Sequence, residues 1–264
     1  MLQMWSKVGR HYLLFSVQTD LLKHTLQERF TEIEPPAVHI EPDITIEIFE
    51  FVGEEYMKHE IDVAIEQTDE HVRFVRTDYE LTTSLDYRKA HILAHDPVGL
   101  MHALLNLYSS YLIYHEQGLL LHSSCIIENG KAWLFAGDSG AGKSTVVTLS
   151  QPRPVLSDEA TYIIIDEGNL VVHDSPFRSE FPGPCAVHEC SIGGIHLLNQ
   201  SPDVYRVPMT KGDTLIALMD KVFYWRHSTQ ETSKMISLCK KVVMSTSAYQ
   251  LYFQENDSFW ERIS

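Results

Sequence analysis

The stretch FAGDSGAGKST, residues 135–145, decides the fold class of this 264-residue chain. Residues 137–144 match the pattern G-x-x-x-x-G-K-[ST], a Gly-rich loop whose backbone N–H groups converge on phosphate oxygens. This mechanism needs a strand before the loop and a helix after it. Residues 131–136 form an apolar, strand-like run, and residues 144–150 favour a helix. The sequence therefore predicts a phosphate-binding P-loop in an α/β protein, with these binding residues: Gly137, Asp138, Ser139, Gly140, Ala141, Gly142, Lys143, Ser144 and Thr145.

The segment just before the loop predicts a β-hairpin. Two apolar runs flank Asn129-Gly130, which is the strongest short signal for a two-residue hairpin turn. Such a turn pairs Glu128 with Lys131, and the same register sets His122 opposite Gly137, the first glycine of the loop. We therefore expect His122 to lie near the bound phosphate.

The remaining periodicity divides the chain into two parts. Residues 1–115 are predicted to form an α+β N-terminal region, and residues 116–264 a P-loop domain with a mixed sheet and helices. Asp96 and Pro97 suit the N-cap and first position of a helix with one apolar face. The other predicted helices are residues 20–30, 211–225 and 231–245; the other predicted strands lie within residues 38–51, 71–76, 90–94, 161–165, 170–173, 192–198 and 249–254.

Charge and composition limit the classes of partner that the chain is expected to bind. The chain carries 36 acidic and 21 basic residues, a formal net charge of −15, and residues 1–118 account for −11 of it. Such a surface repels a polyphosphate backbone, so nucleic acid is excluded as a partner. No signal peptide or membrane span is visible, and the four cysteines are most simply reduced thiols, so we expect a cytoplasmic protein without a membrane partner.

An acidic pair, Asp158-Glu159, follows a short apolar run downstream of the loop. Phosphoryl transfer needs ligands for Mg²⁺, and transfer to a hydroxyl also needs a base that orients the acceptor. Two adjacent carboxylates can divide these roles. By spacing alone, Asp158-Glu159 could equally be a solvated pair in a turn. His122 could equally be a histidine packed at a strand edge.

Taken together, these residues resemble the HPr kinase/phosphorylase family. The family pattern is a His in a strand, a hairpin, G-[DE]-S-G-x-G-K-S and an acidic pair about fifteen positions on; the chain has His122, residues 137–144 and Asp158-Glu159 at these places. The resemblance implies a kinase fold that uses ATP and Mg²⁺. It also implies roles for single residues: Asp158 as the base, His122 assisting it, and Ser144, Glu159 and Glu189 at the metal. The P-loop pattern itself predicts that Lys143 contacts the β- and γ-phosphates.

The chain also departs from the family pattern. Glu159 replaces the second of two aspartates, and Ser191 stands where an arginine is expected, which puts the reverse, phosphorolytic reaction in doubt. Residues 1–115 show no likeness to the family's regulatory domain. The chain looks like the shorter HPr-kinase-like proteins found with ribosomal-peptide biosynthesis, some of which resemble lasso-peptide kinases.

The resulting expectation is an ATP-dependent kinase that phosphorylates a serine or threonine hydroxyl of a peptide or protein. A lasso-peptide precursor is one candidate acceptor, and residues 1–115 are expected to help recognise it. Two alternatives stay open: a true HPr kinase/phosphorylase, and a P-loop ATPase or nucleotide switch that transfers nothing. A homo-oligomer is a further expectation.

Overall fold

The computed structural model describes residues 1–36, 40–54, 63–166, 169–180 and 185–263. They form two compact units: Met1–His115 with Tyr224–Thr229, and Glu116–Phe223 with Gln230–Ser264. Each unit contains an eight-stranded sheet that mixes parallel and antiparallel pairs, together with helices, so the chain is a mixed α/β protein. Across the described residues, no helix combines the length and apolarity needed to cross a membrane.

The first unit is a mixed sheet with two helices. Its sheet has the strand order β3-β1-β2-β4-β8-β7-β6-β5, with parallel pairs β2–β4 and β4–β8 at its centre. In β4 the side chains alternate between buried and more exposed, as predicted, although residues 38 and 39 of that predicted stretch lie outside the described residues. The bounds are β1 Leu2–Val8, β2 His11–Val17, α1 Asp20–Gln27, β3 Glu32–Ile33, β4 Ile44–Glu50, β5 Ala64–Gln67, β6 His71–Arg76, β7 Tyr79–Ser84, β8 Lys89–Ala94 and α2 Pro97–Tyr114.

Helix α2 begins where the sequence predicts. The Asp96 side chain accepts a hydrogen bond from the backbone N–H of Gly99 at 2.7 Å, and Pro97 occupies the first turn. The expectation of a single apolar face is wrong, because α2 is buried around almost its whole circumference. Polar positions are buried with hydrogen-bond partners, as when Asn106 donates to the Tyr79 hydroxyl at 3.3 Å.

The second unit curls its sheet into a ring. Its strand order is β10-β9-β12-β13-β14-β16-β15, and the eighth strand, β11, pairs with β9 beside this path. Because β10 also pairs with β14, five strands (β10, β9, β12, β13 and β14) close into a ring. The bounds are β9 Gly118–Glu128, β10 Lys131–Ala136, α3 Lys143–Leu149, β11 Val155–Ser157, β12 Ala160–Asp166, β13 Asn169–His173, β14 Glu189–Gln200, β15 Tyr205–Pro208, α4 Lys211–Met219, α5 Thr229–Ser245, β16 Ala248–Phe253, a 3₁₀ turn Asp257–Phe259 and α6 Trp260–Ile263. The predicted turn between β12 and β13 includes residues 167 and 168, which lie outside the described residues.

The β9–β10 hairpin has the predicted register. Lys131 pairs with Glu128, and the ladder continues to Ala136 opposite Ser123. Asn129 and Gly130 both have positive φ, 52° and 69°, the conformation that a two-residue type I′ turn needs. His122 and the P-loop therefore come directly after the last pair of one ladder.

Helix α4 ends earlier than predicted. The apolar pattern indicates a helix to residue 225, whereas α4 ends at Met219 with Asp220 as its C-cap. The next residues pair with β9 instead: the His122 N–H donates to the Lys221 carbonyl at 2.7 Å, and the Phe223 N–H donates to the Leu120 carbonyl at 3.0 Å. Backbone groups of β9 thus replace the helical hydrogen bonds of this segment.

Helix α3 rests on a buried apolar cluster. Val146 and Val147 on α3 pack with residues of β10, β14, β16 and the C-terminal turn. Trp260 donates its indole N–H to the Ser150 hydroxyl at 3.0 Å, which holds the end of α3. The C-terminal residues therefore support the helix that follows the P-loop.

Candidate functional site

The loop that matches the P-loop pattern connects the end of β10 to the start of α3, the strand–loop–helix order that the sequence predicts. Gly142 has φ +104°, and a Cβ atom there would lie 2.7 Å from the ring of Phe253. At Gly137 a Cβ atom would lie 2.6 Å from the Cβ of Ala141. These two positions accept only glycine without a shift of neighbouring atoms, so the loop is shaped by its backbone.

Lys143 is held under this loop. Its ammonium donates to the carbonyl oxygens of Gly137 at 3.0 Å and Asp138 at 3.2 Å, and the side chain is largely buried. Burial lowers the pKa of Lys143. Ser144 is exposed in the first turn of α3, and Thr145 follows it half-buried.

His122 and Glu159 lie side by side next to the loop. Antiparallel pairing of β9 with β12 places His122 opposite Ala160, and the His122 Nε2 atom is 3.5 Å from the Glu159 Oε1 atom. Burial, together with the charges of Lys143 and Lys221, lowers the pKa of His122 to about 4. The imidazole is therefore neutral at pH 7 and can accept a proton there.

Lys221 joins the site from the segment after α4. Its ammonium lies 2.5 Å from the Asp138 Oδ1 atom and 2.7 Å from the Asp220 Oδ2 atom. The hydrogen bond from Lys221 lowers the pKa of the Asp138 carboxyl. Lys221 is not among the predicted site residues, because it lies inside a predicted helix and no motif links it to a loop 83 residues earlier.

Asp158 has a different environment from its neighbour Glu159. Its carboxylate is 2% exposed and accepts three hydrogen bonds: from the Ser179 N–H at 3.1 Å, the Ser179 hydroxyl at 3.1 Å and the Glu180 N–H at 2.7 Å. These bonds fix the segment at residues 179 and 180 over the acidic pair. Glu159, by contrast, is partly exposed beside His122.

Glu189 does not join the other predicted site residues. It begins β14, and its neighbours contact the β9–β10 turn: the Cys190 thiol donates to the Gly130 carbonyl, and Lys131 donates to the Ser191 hydroxyl at 3.0 Å. Because β14 runs parallel to β10, its start lies at the opposite end of β10 from the P-loop. The structure thus brings together Lys143, Ser144, His122 and Glu159, and separates Glu189 from them.

A pocket of about 410 Å³ adjoins the loop, and Gly142 and Thr145 contribute to its lining. Its walls include the ring of Phe253 and the amide side chains of Gln200 and Gln254. Gln200 also donates to the Gly140 carbonyl at 3.0 Å, which ties the pocket wall to the loop. An aromatic ring and amide groups provide both packing and hydrogen bonds for a planar, polar ligand.

Comparisons with known proteins identify the family. No curated protein matches the chain. The profile of one protein family, described as SynChlorMet cassette protein ScmC, matches residues 94–263, and this range contains every residue of the site described above. Because the match covers well over half of its length, the chain belongs to the SynChlorMet cassette protein ScmC family.

Proposed function

We propose that the chain is an ATP-dependent kinase with an HPr-kinase-like active site, and that it phosphorylates a serine or threonine hydroxyl of a peptide or protein. The observation that carries the proposal is the meeting of the P-loop with His122 and Glu159 at the end of β10. A loop that only holds phosphate needs no neutral histidine and carboxylate beside it. Transfer to a hydroxyl needs a group that accepts its proton.

The residues present fit ATP and Mg²⁺. Backbone N–H groups of residues 138–145 would bind the phosphates, with Lys143 at the β- and γ-phosphates. In sites of this class Mg²⁺ neutralises phosphate charge and uses one or two protein ligands besides phosphate oxygens. The exposed Ser144 hydroxyl and the Glu159 carboxylate are suitable ligands.

The pocket and the His122–Glu159 pair together suggest how the nucleotide is oriented. The pocket at Gly142 and Thr145 would take the nucleoside. The terminal phosphate would then point towards His122 and Glu159. In the transfer step, the acceptor oxygen forms a bond to the γ-phosphorus while the bond to the ADP oxygen breaks.

The proton of the acceptor hydroxyl has two candidate destinations. The resemblance to HPr kinases assigns it to Asp158, whereas three hydrogen bonds from residues 179 and 180 already occupy that buried carboxylate. His122 is neutral at pH 7 and lies beside the partly exposed Glu159, so the geometry favours His122. In this proposal Asp158 positions the segment at residues 179 and 180.

The first unit is the part of the chain that we propose recognises the acceptor. Its sheet ends in the short edge strand β5, and edge strands bind extended peptides through backbone hydrogen bonds. The acidic character of residues 1–118 favours a basic peptide. Salt should therefore weaken its binding.

The experiment mixes purified protein and Mg-ATP with two acceptors in separate reactions, and mass spectrometry detects an added phosphate. One acceptor is a short peptide encoded beside the gene, chosen because the family description places its members in a cassette; the other is HPr. Phosphorylation of the peptide by the wild type, but not by Lys143→Ala, supports the proposal. Phosphorylation of HPr alone would show that the acceptor is the phosphocarrier protein HPr and not the peptide. Hydrolysis of ATP with neither acceptor modified would make the chain an ATPase or switch.

A further inference from the structure

The segment after α4 lies along β9 at the P-loop. Hydrogen bonds join the His122 N–H to the Lys221 carbonyl and the Phe223 N–H to the Leu120 carbonyl, and an antiparallel bridge pairs Leu121 with Val222. These contacts fix the backbone of Lys221 directly beside the backbone of His122. The position of this lysine is therefore set by the sheet rather than by a free loop.

The Lys221 ammonium is more enclosed than the carboxylates that it contacts. The Lys221 side chain is 13% exposed, whereas those of Asp138 and Asp220 are 88% and 74% exposed. An ion pair with exposed carboxylates contributes little stability, because water solvates the carboxylates nearly as well. A phosphate group carries more charge than either carboxylate, so it can displace them.

Two lysines contact Asp138 at this end of the loop. The Lys143 ammonium donates to the carbonyls of Gly137 and Asp138, and the Lys221 ammonium donates to the Asp138 carboxylate. The backbone also joins Lys221 to His122, because the His122 N–H donates to the Lys221 carbonyl. Two cations around a proton acceptor match the charge of a phosphoryl group during transfer, which is spread over its outer oxygens.

Resting on the proposed function, we propose that Lys221 is a second phosphate-binding lysine that contacts the terminal phosphate of the bound nucleoside triphosphate in place of Asp138. No bond is made or broken in this exchange: a carboxylate leaves the ammonium and phosphate oxygens replace it. The contact distinguishes triphosphate from diphosphate, because ADP lacks the group that Lys221 binds.

The test compares the affinities of Mg-ATP and Mg-ADP in the full chain by calorimetry. The variant is Lys221→Met, and the matched control is Lys241→Met, which removes an exposed lysine of α5. We expect Lys221→Met to weaken Mg-ATP binding about tenfold or more, as for the loss of one charge-assisted contact, and to leave Mg-ADP binding within about twofold. The control should change neither affinity.

Two results would overturn the inference. Unchanged Mg-ATP affinity in folded Lys221→Met would show that the lysine does not touch the terminal phosphate, and equal losses for ATP and ADP would show that it only supports the loop. A wild type that binds neither nucleotide would instead refute the proposed function, on which the inference rests.

A second variant and a second measurement make the test independent of the stability of Lys221→Met. Lys221→Arg keeps the charge, so it should retain the preference for ATP over ADP; loss of that preference would count against a charge contact. In addition, the ³¹P NMR signal of the γ-phosphate of bound Mg-ATP should shift when Lys221 is replaced by Gln. An unchanged γ-phosphate signal would show that the lysine does not contact the terminal phosphate.

Discussion

Replacing Asp158 by Asn tests the network that covers the acidic pair. The carboxylate of Asp158 accepts hydrogen bonds from two backbone N–H groups and one hydroxyl of Ser179 and Glu180. Asn has nearly the same shape, but one of its two terminal atoms donates instead of accepting, and it carries no charge. At least one N–H group of this segment then faces another donor.

The size of the stability loss in Asp158→Asn follows from these three hydrogen bonds. The best orientation of the new amide in Asp158→Asn keeps its oxygen towards the Glu180 N–H and the Ser179 hydroxyl, and loses the bond from the Ser179 N–H. A hydrogen bond to a charged group contributes about 1.5–3 kcal/mol, and the two remaining bonds weaken when the charge is removed. We therefore expect the free energy of unfolding to fall by about 2–4 kcal/mol. For a unit of this size, that lowers the melting temperature by on the order of 10 °C.

Scanning calorimetry at pH 7 measures the effect, and Ser179→Ala provides the matched comparison. Ser179→Ala removes only the hydroxyl bond, so it should cost about 1 kcal/mol. In the double variant the combined loss should be less than the sum of the two single losses, because Asp158→Asn already weakens the bond that Ser179→Ala removes. A melting temperature of Asp158→Asn within about 1 °C of the wild type would refute the reasoning, since a buried carboxylate with three donors cannot be neutralised without loss.

The same variant separates the two candidate bases when transfer is measured well below its melting temperature. If Asp158 accepts the proton, the rate should fall about 10²-fold or more while Mg-ATP affinity is kept. If His122 accepts it, His122→Gln should show that loss instead. Reduced Mg-ATP affinity in Asp158→Asn would assign Asp158 to the metal.

Two further predictions concern His122 and the carboxylates. The pKa of His122 is lowered from 6.5 to about 4, so between these pH values the unfolded chain binds more protons than the folded chain; stability should fall as the pH falls through this window. The free energy of unfolding, measured by urea titration at pH 7.5, 5.5 and 4.5, should depend less on pH in His122→Gln than in the wild type. An equal pH dependence in the two proteins would contradict the burial of the ring. Glu159→Gln should raise the Mg²⁺ concentration needed for half-maximal ATP binding, whereas Glu189→Gln should leave it unchanged, because Glu189 lies at the other end of β10. If Glu189→Gln raised this Mg²⁺ concentration as much as Glu159→Gln does, the result would contradict this placement of Glu189.

The local features of the site were predictable from the sequence because each is decided within a few residues. Asn129 and Gly130 accept positive φ at little cost, so the turn and its register follow directly, and with them the place of His122 beside the loop. The Gly-rich stretch likewise determines its own backbone shape, and Asp96-Pro97 determines the start of α2. In each case the responsible atoms are neighbours along the chain.

Only the tertiary structure decided which distant groups meet at that loop. The Lys221 pair with Asp138 spans 83 residues and depends on the end of α4 and on the backbone groups of β9. The burial of Asp158 depends on donors 21 and 22 residues later. Glu189 has a residue type suited to a metal ligand, but the parallel pairing of β14 with β10 sends it to the other end of the ring. By itself the sequence determined the loop, the turn and their immediate neighbours; strand pairing determined the rest, because the direction in which a strand returns to a sheet depends on contacts that local sequence patterns do not encode.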